Sequence, residues 1–388
     1  MPILYFLPWV TADEEVTMGN MKLVPYMRGK QPAIHDGIFL SDLDETLGNY
    51  GNPTYSEKHH PSPVQEATLV AWNDAPYNPT DEDIQASLQV GQQLAFCALA
   101  KRRFNASRDY CNADGYQMRA QRFQTGNGSS TSVATRRRDR DVRNSLNGKT
   151  LIPIFLRPLH VDSLIHLDIN KNLFNALQGV GDRDLKERLS NSIEMFVLAN
   201  TDAPSIPERA ELVLLRSAFE KVLDVGYLTN KLASGFMVHF KEDLPVTPIW
   251  HQGEFNELAW RGRWPDTKDR KITRPLVAWV YDFCAARNDA AHGGSKSKHP
   301  NTLWNTRNHL LFGSWLFPLM IKKILASLGL YALTEEDNLY RQGCEKFLAH
   351  DLLAWDEEKD ESEWSKVESK LHQEARSRKL ETRLKVTK

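Results

Sequence analysis

Apolar residues in the first eighty positions come in short runs, Ile3–Val10, Met21–Tyr26, Ile38–Leu40 and Thr68–Trp72, separated by Gly, Pro, Asn and Asp. Runs of that length with that punctuation predict short strands and loops. Thr80 then introduces Asp81, Glu82 and Asp83, acidic residues suited to a first helical turn, and the spacing from Ile84 to Phe104 predicts a helix ending in Lys101, Arg102 and Arg103. The Gly/Ser/Thr-rich stretch 124–134 predicts a flexible loop, followed at once by Arg136, Arg137 and Arg138. Leu151–Leu159 and Leu164–Ile169 read as two further strands.

Beyond about residue 200 the period changes. Pro207 and Glu208 open a segment with Leu212, Leu215, Phe219 and Val222 on one helical face. Thr273 and Pro275 start a second helix that runs to His292 and is closed by Gly293 and Gly294. A third is expected over Leu303–Leu328 with an interruption near Pro318, and a fourth from Thr334 to about Trp355. Between the first two lies a polar and aromatic stretch, Asp243–Thr273. The tail from Asp356 alternates charges, which suits a solvated helix. The expected fold class is therefore α+β: a mixed, strand-containing region over residues 1–200, an all-α bundle over 201–355 and a charged helical tail over 356–388.

Composition narrows the function classes. A chain of 388 residues with 41% hydrophobic and 26% charged side chains is neither disordered, collagenous nor a disulfide miniprotein. Its formal net charge of −1 excludes polyanion binding through total charge. The distribution is uneven, however. Residues 1–90 hold four basic and thirteen acidic side chains, a net of −9, and residues 101–143 hold eleven basic and four acidic, a net of +7. Four cysteines at no metal-like spacing imply reduced thiols, and the apolar N-terminus lacks the basic leader of a signal peptide. The nearest approach to a membrane span, Leu310–Leu330, is broken by Pro318, Lys322 and Lys323. A cytoplasmic protein with no membrane partner and no cofactor is expected.

The sharpest local signal is Arg287-Asn288-Asp289-Ala290-Ala291-His292, at the end of an apolar helix and just before the glycine pair. Asn288 and His292 stack on one helical face and Arg287 lies beside Asn288. Taken alone, these residues also describe a helix C-cap with cations near the negative end of the dipole. The three side-chain types together point to chemistry on phosphate. RNA is cut when its 2′-OH attacks the adjacent phosphorus, a reaction that needs a proton acceptor, a proton donor and a cation for the developing charge. A histidine with an ordinary pKa near ~6.5 serves either proton role, and arginine offers a planar pair of donors to phosphate oxygens.

Arg-Asn-x-x-x-His on a late helix of an all-α domain resembles the signature of the HEPN ribonuclease superfamily. The earlier helix Glu211–Leu223, with its step Ala218-Phe219-Glu220, is similar to the leading helix of the Apea-like branch. The likeness covers residues from about 205 to 350. It implies catalytic roles for Arg287 and His292 with Asn288 in support, Glu220 and Asp289 as supporting residues, and a homodimer whose cleft unites two copies of the motif. It also implies a prokaryotic antiviral effector, acting as an RNA-cutting toxin, with residues 1–200 as sensor or substrate selector and a phage-derived trigger. Glu220 either orients Arg287 or His292, or pairs with Arg216 at i, i+4 on the surface. RNA, single-stranded or structured and with transfer RNA among the candidates, would be gripped by Arg136, Arg137 and Arg138 and by Trp260, Arg261, Arg263 and Trp264, which combine phosphate donors with stacking rings.

Two rivals stand beside this reading. In one the helical domain is an inactive HEPN-like module that only dimerises or binds RNA. In the other, Ile38–Leu47 resembles the first motif of haloacid-dehalogenase-type phosphatases, which implies an Mg²⁺ enzyme using Asp42 and Asp44, with Gly181-Asp182-Arg183-Asp184 as a later acidic motif. His160, Asp162, His166 and Asp168 alternate as exposed strand positions do, and no zinc site is expected from them.

Overall fold

The computed structural model describes residues 3–32, 39–53, 60–73, 79–104, 110–122, 130–136, 138, 141–147, 153–162, 165–245, 274–292, 303–348, 355–356 and 361–386. Five of its strands, β1 (Ile3–Leu7), β2 (Val16–Met18), β3 (Met21–Met27), β4 (Glu66–Trp72) and β5 (Arg119–Arg122), form an antiparallel sheet in the order β2-β3-β4-β1-β5. Strand β1 lies between two partners, with Tyr5 opposite both Val70 and Ala120, and Leu4–Leu7 are buried as a continuous apolar run should be in that place. Pro25 is tolerated in β3 because β2 pairs only as far as Leu23. The stretch from Ser130 is not a loop: Ser130–Arg136 (β6) pairs antiparallel with Asp141–Asn147 (β7), its Thr131, Val133 and Thr135 favouring extended backbone over the glycine-rich composition upstream. The two strands expected over 151–169 shrink to the two-residue pairs Phe155–Leu156 and Ile165–His166. Of the run ending at Leu40, Ile38 lies outside the described residues, Phe39 is an N-cap and Leu40 opens a helix, α1 (Leu40–Gly48), which buries Leu43 and Leu47.

The helix expected after Thr80 is α2 (Asp81–Leu99). Thr80 accepts from the Asp83 N–H and Asp83 accepts from the Thr80 N–H, so the acidic triplet sits at the positive end of the dipole. Helices α3 (Lys171–Gln178) and α4 (Arg183–Leu198) follow within the span read as strand-containing. Contacts divide the chain into two compact units, Met1–Lys101 with Cys111–Gln178 and Thr201–Ala203, and Arg102–Tyr110 with Gly179–Asn200 and Pro204–Lys388. The break therefore falls after α3 rather than at residue 200, because α4 packs along the next helix through Leu189, Ile193, Phe196 and Val197.

The second unit is a helical bundle. Helix α5 (Glu208–Val222) packs against α4, α7 (Pro275–His292) and α8 (Thr306–Ser327), while α6 (Thr229–Phe240) packs on α7. The centre is aromatic: Phe219 meets Phe236 at 4.9 Å and Phe317 at 5.2 Å, and Trp279 stacks on Phe283 at 4.8 Å. Helix α8 runs unbroken through Pro318. The proline lacks the N–H that would bond the Ser314 carbonyl, but its turn is buried on all sides and packing outweighs the lost bond. This helix is long and apolar enough to cross a membrane by composition, yet 72% of its apolar window is buried inside the bundle. The fourth expected helix, α9 (Glu335–Phe347), ends well before Trp355, which sits instead in a two-residue strand pair. The charged tail forms α10 (Glu363–Val386), but it is not a detached solvated helix. Trp364 packs on Phe347 at 4.3 Å and Leu371 lies against Gly343, where an added Cβ would come within 3.0 Å.

The start of α9 carries a pH-sensitive contact. Asp337 closes a capping box with Thr334 and accepts from Lys322 at 2.6 Å and from the Tyr331 hydroxyl at 3.2 Å. Burial alone would push its carboxyl up, but the Lys322 ammonium and the Thr334 donors outweigh it and hold the group below the usual carboxylate range. A lowered native pKa adds stability that is complete above the unfolded value of about 3.9 and is lost as pH falls through the native one. Urea melts are expected to give a falling midpoint below about pH 4. Asp337→Asn should be less stable at neutral pH and show a flatter acid limb.

Candidate functional site

Helix α7 begins with Pro275, whose fixed φ suits a first helical residue, and continues through Leu276–Val280, Phe283 and Cys284, all buried. Its character changes at the last turns. Arg287 is half-buried and Asn288 and Asp289 are exposed, so the helix leaves the core where its polar triplet begins. His292 is its last residue, four positions beyond Asn288 and on the same face. The His292 side chain is outside the described residues.

Helix α5 supplies the opposite wall. Arg216 lies on the same stripe as Leu212, Leu215 and Phe219, and only 2% of its side chain is exposed. Such a guanidinium needs partners: its two terminal nitrogens have two hydrogen-bond acceptors and one ion-pair carboxylate, while its buried Nε makes no hydrogen bond. One terminal nitrogen donates to the Asn288 side-chain oxygen at 3.0 Å, the other donates to the Tyr227 carbonyl at 2.9 Å, and the same nitrogen lies 2.9 Å from the Glu220 carboxylate. The Tyr227 carbonyl arrives there because α5 ends in a Schellman turn. Asp224 takes φ +52°, its N–H returns to the Lys221 carbonyl and the Val225 N–H returns to the Glu220 carbonyl. Glu220 thus pairs with Arg216 at i, i+4, as one of its two expected roles has it, but in the interior: its own side chain is 16% exposed.

Arg287 also donates to the Asn288 oxygen, at 3.2 Å. One amide oxygen therefore bridges two guanidiniums, which leaves the Asn288 NH₂ as the outward donor. Glu220 balances one of the two cations, and no carboxylate among the described residues pairs with Arg287. Arg287 therefore keeps guanidinium donors that a phosphate oxygen could accept, with Asp289 the nearest acid in the chain. Beneath it, burial pushes the Cys284 thiol up and keeps it neutral, with Arg216 opposing. Six residues before Asn288, the Asp282 carboxylate is fully buried. It accepts from the Leu303 and Trp304 N–H groups at 3.1 and 3.0 Å and lies 3.3 Å from Nε2 of the buried His309. This ties the lead-in to α8 to the helix that carries the motif.

Tyr227 and Asp282 were not singled out from the sequence, and Arg216 entered only as a surface partner of Glu220. The signal for Arg216 was its position, an arginine inside an otherwise apolar stripe. Of the expected RNA-gripping residues, Arg136 ends β6 opposite Asp141 and Arg138 is exposed, both in the first unit. Arg137, Trp260, Arg261, Arg263 and Trp264 lie outside the described residues.

The other candidates are placed as follows. Asp42 and Asp44 lie within α1, not at a strand end, and Asp44 accepts from the Tyr26 hydroxyl at 2.7 Å and the Gly29 N–H at 3.3 Å. Asp182 caps α4 by accepting from the Leu185 N–H at 2.7 Å. His160 sits in a turn, not a strand, 2.8 Å from Asp114, while His166 is exposed in its short strand. Among the described residues no group of three His, Cys, Asp or Glu side chains is placed to hold a metal ion. The four cysteines are free. Compared with protein-family models, with curated proteins and with solved structures, the chain matches none.

Proposed function

We propose that this chain is an endoribonuclease of the HEPN type. It would cut RNA without a metal ion and leave 2′,3′-cyclic phosphate and 5′-hydroxyl ends. The observation that carries the reading is the end of α7, where the buried Arg216 of α5 holds the exposed Asn288, whose side-chain oxygen also accepts from a half-buried Arg287. Arg287 donates to a non-bridging phosphate oxygen, and the Asn288 NH₂ binds a second oxygen or orients an imidazole. His292, one turn further on that face, moves the proton. The 2′-oxygen bonds to phosphorus as its proton passes to one imidazole, and the bond to the 5′-oxygen breaks as a second imidazolium protonates it.

One protomer supplies one motif, so the reaction as written needs two copies of the chain about a two-fold axis. The resemblance extends the proposal to a cytoplasmic prokaryotic antiviral effector, with the sheet-containing unit selecting the substrate or sensing a phage-derived trigger.

The test is to sequence RNA ends from cells expressing the wild type or His292→Ala. Fragments with cyclic phosphate ends are expected only from the wild type. Equal cleavage by both would remove the catalytic claim and leave a dimerising or RNA-binding module.

A further inference from the structure

Arg216 holds two things at once, the Asn288 side chain and the backbone of Tyr227. The Tyr227 carbonyl is thereby fixed only two hydrogen bonds and one guanidinium away from the proposed phosphate site. The rest of that residue is not used by the fold: Tyr227 is 79% exposed, and Leu228 beside it is 42% exposed. The ring thus presents a free face in water from a backbone that is pinned to a polar network, which is the arrangement a stacking partner needs. Beside it in the chain, a groove of about 370 Å³ runs between the end of α5 and α6, lined by Leu223, Val225, Asn230, Lys231, Ser234 and His239. Lys231 is exposed there, and burial and Lys323 lower the pKa of His239 so that it adds little charge.

We infer that Tyr227 is a stacking platform for an unpaired nucleobase next to the scissile phosphate, with Lys231 contacting a phosphate of the same strand. This rests on the proposed ribonuclease reading and adds the form of the substrate: single-stranded RNA, a loop or an unpaired stretch, since a base within a duplex offers no free face. Stacking is indifferent to base identity, so the subsite selects for unpaired structure rather than sequence.

The experiment measures binding of a short single-stranded RNA carrying 2-aminopurine, on the full chain with His292→Ala to prevent cleavage. Adding Tyr227→Ala is expected to weaken binding about tenfold and abolish the quenching of the probe, whereas Tyr227→Phe keeps both. Adding Lys231→Ala should retain quenching but reduce the slope of log K against log salt by about 0.7, the share of one phosphate contact on a single strand. Tyr227 contributes only its carbonyl to the network, so thermal melting should not change.

Tyr227→Ala binding and quenching like its parent would overturn the inference. If the wild type cuts RNA while this happens, the nuclease reading survives and only the stacking site falls. If the wild type neither binds nor cuts RNA, both fall together.

Discussion

Alanine at Arg287 is expected to lower kcat/KM for RNA cleavage by about 10²–10³-fold, the usual cost of removing one donor aimed at developing oxyanion charge. The loss should lie mainly in kcat, since charge on the phosphate grows in the transition state and other groups can bind the ground state. Stability should hardly move. Arg287 is half-buried, among the described residues its side chain bonds only to Asn288, and it faces a second guanidinium across that amide, so its removal strands no partner among them and relieves one like-charge contact. A change within ±0.5 kcal/mol is expected, as for most surface substitutions. Lysine at this position keeps the charge but loses the planar fork, and it should restore only part of the rate. Single-turnover kinetics beside thermal melts would check both halves. A variant as active as the wild type would move the charge-stabilising role elsewhere.

Where helices announced themselves chemically, their starts were legible to within a few residues. Thr80 and Thr334 each stand three residues before an aspartate that completes the capping box, and Pro275 sets the first turn of α7. The elements that were missed also carry a periodic signal, but an ambiguous one. Leu40, Leu43 and Leu47 of α1 recur at helical spacing, yet a segment of only nine residues reads equally well as a short strand and a turn. Leu189, Ile193, Phe196 and Val197 of α4 form a clear apolar face behind Asp182, whose capping role is indistinguishable from part of an acidic motif until its Leu185 partner is seen. Pro318 misled for the opposite reason, since local propensity argued for a break that burial overrode. For the candidate site, the neighbouring places of Arg287 and Asn288 at the end of α7 followed from spacing alone, while the His292 side chain lies outside the described residues. The support for Asn288 did not follow. It comes from a residue 72 positions earlier, and the same guanidinium reaches a loop carbonyl that only the Schellman turn at Asp224 delivers.

That support makes Arg216 the residue whose loss should be felt most widely. Arg216→Met removes the cation but not its three partners. The Tyr227 carbonyl and the Glu220 carboxylate are left in a partly closed space, and the hydrophobic replacement satisfies neither. Breaking a buried pair in this way costs roughly 3–5 kcal/mol. Glu220 retains some exposure and regains part of its hydration, so about 3 kcal/mol, the lower end of that range, is expected in urea unfolding. Glu220→Gln with Arg216→Met should recover part of the loss, because the stranded charge is gone. Cleavage would suffer separately: Asn288 loses the donor from α5 and keeps only Arg287, so the amide and the guanidinium are free to swing together away from the phosphate. A cycle of Arg216→Lys and Asn288→Ala isolates that effect, since lysine preserves the charge beside Glu220 but cannot reach both Asn288 and Tyr227. Activity losses that are less than additive, with a coupling of about 1 kcal/mol or more, are expected if Arg216 positions Asn288. Fully additive losses would instead reduce Arg216 to a purely structural part of the bundle.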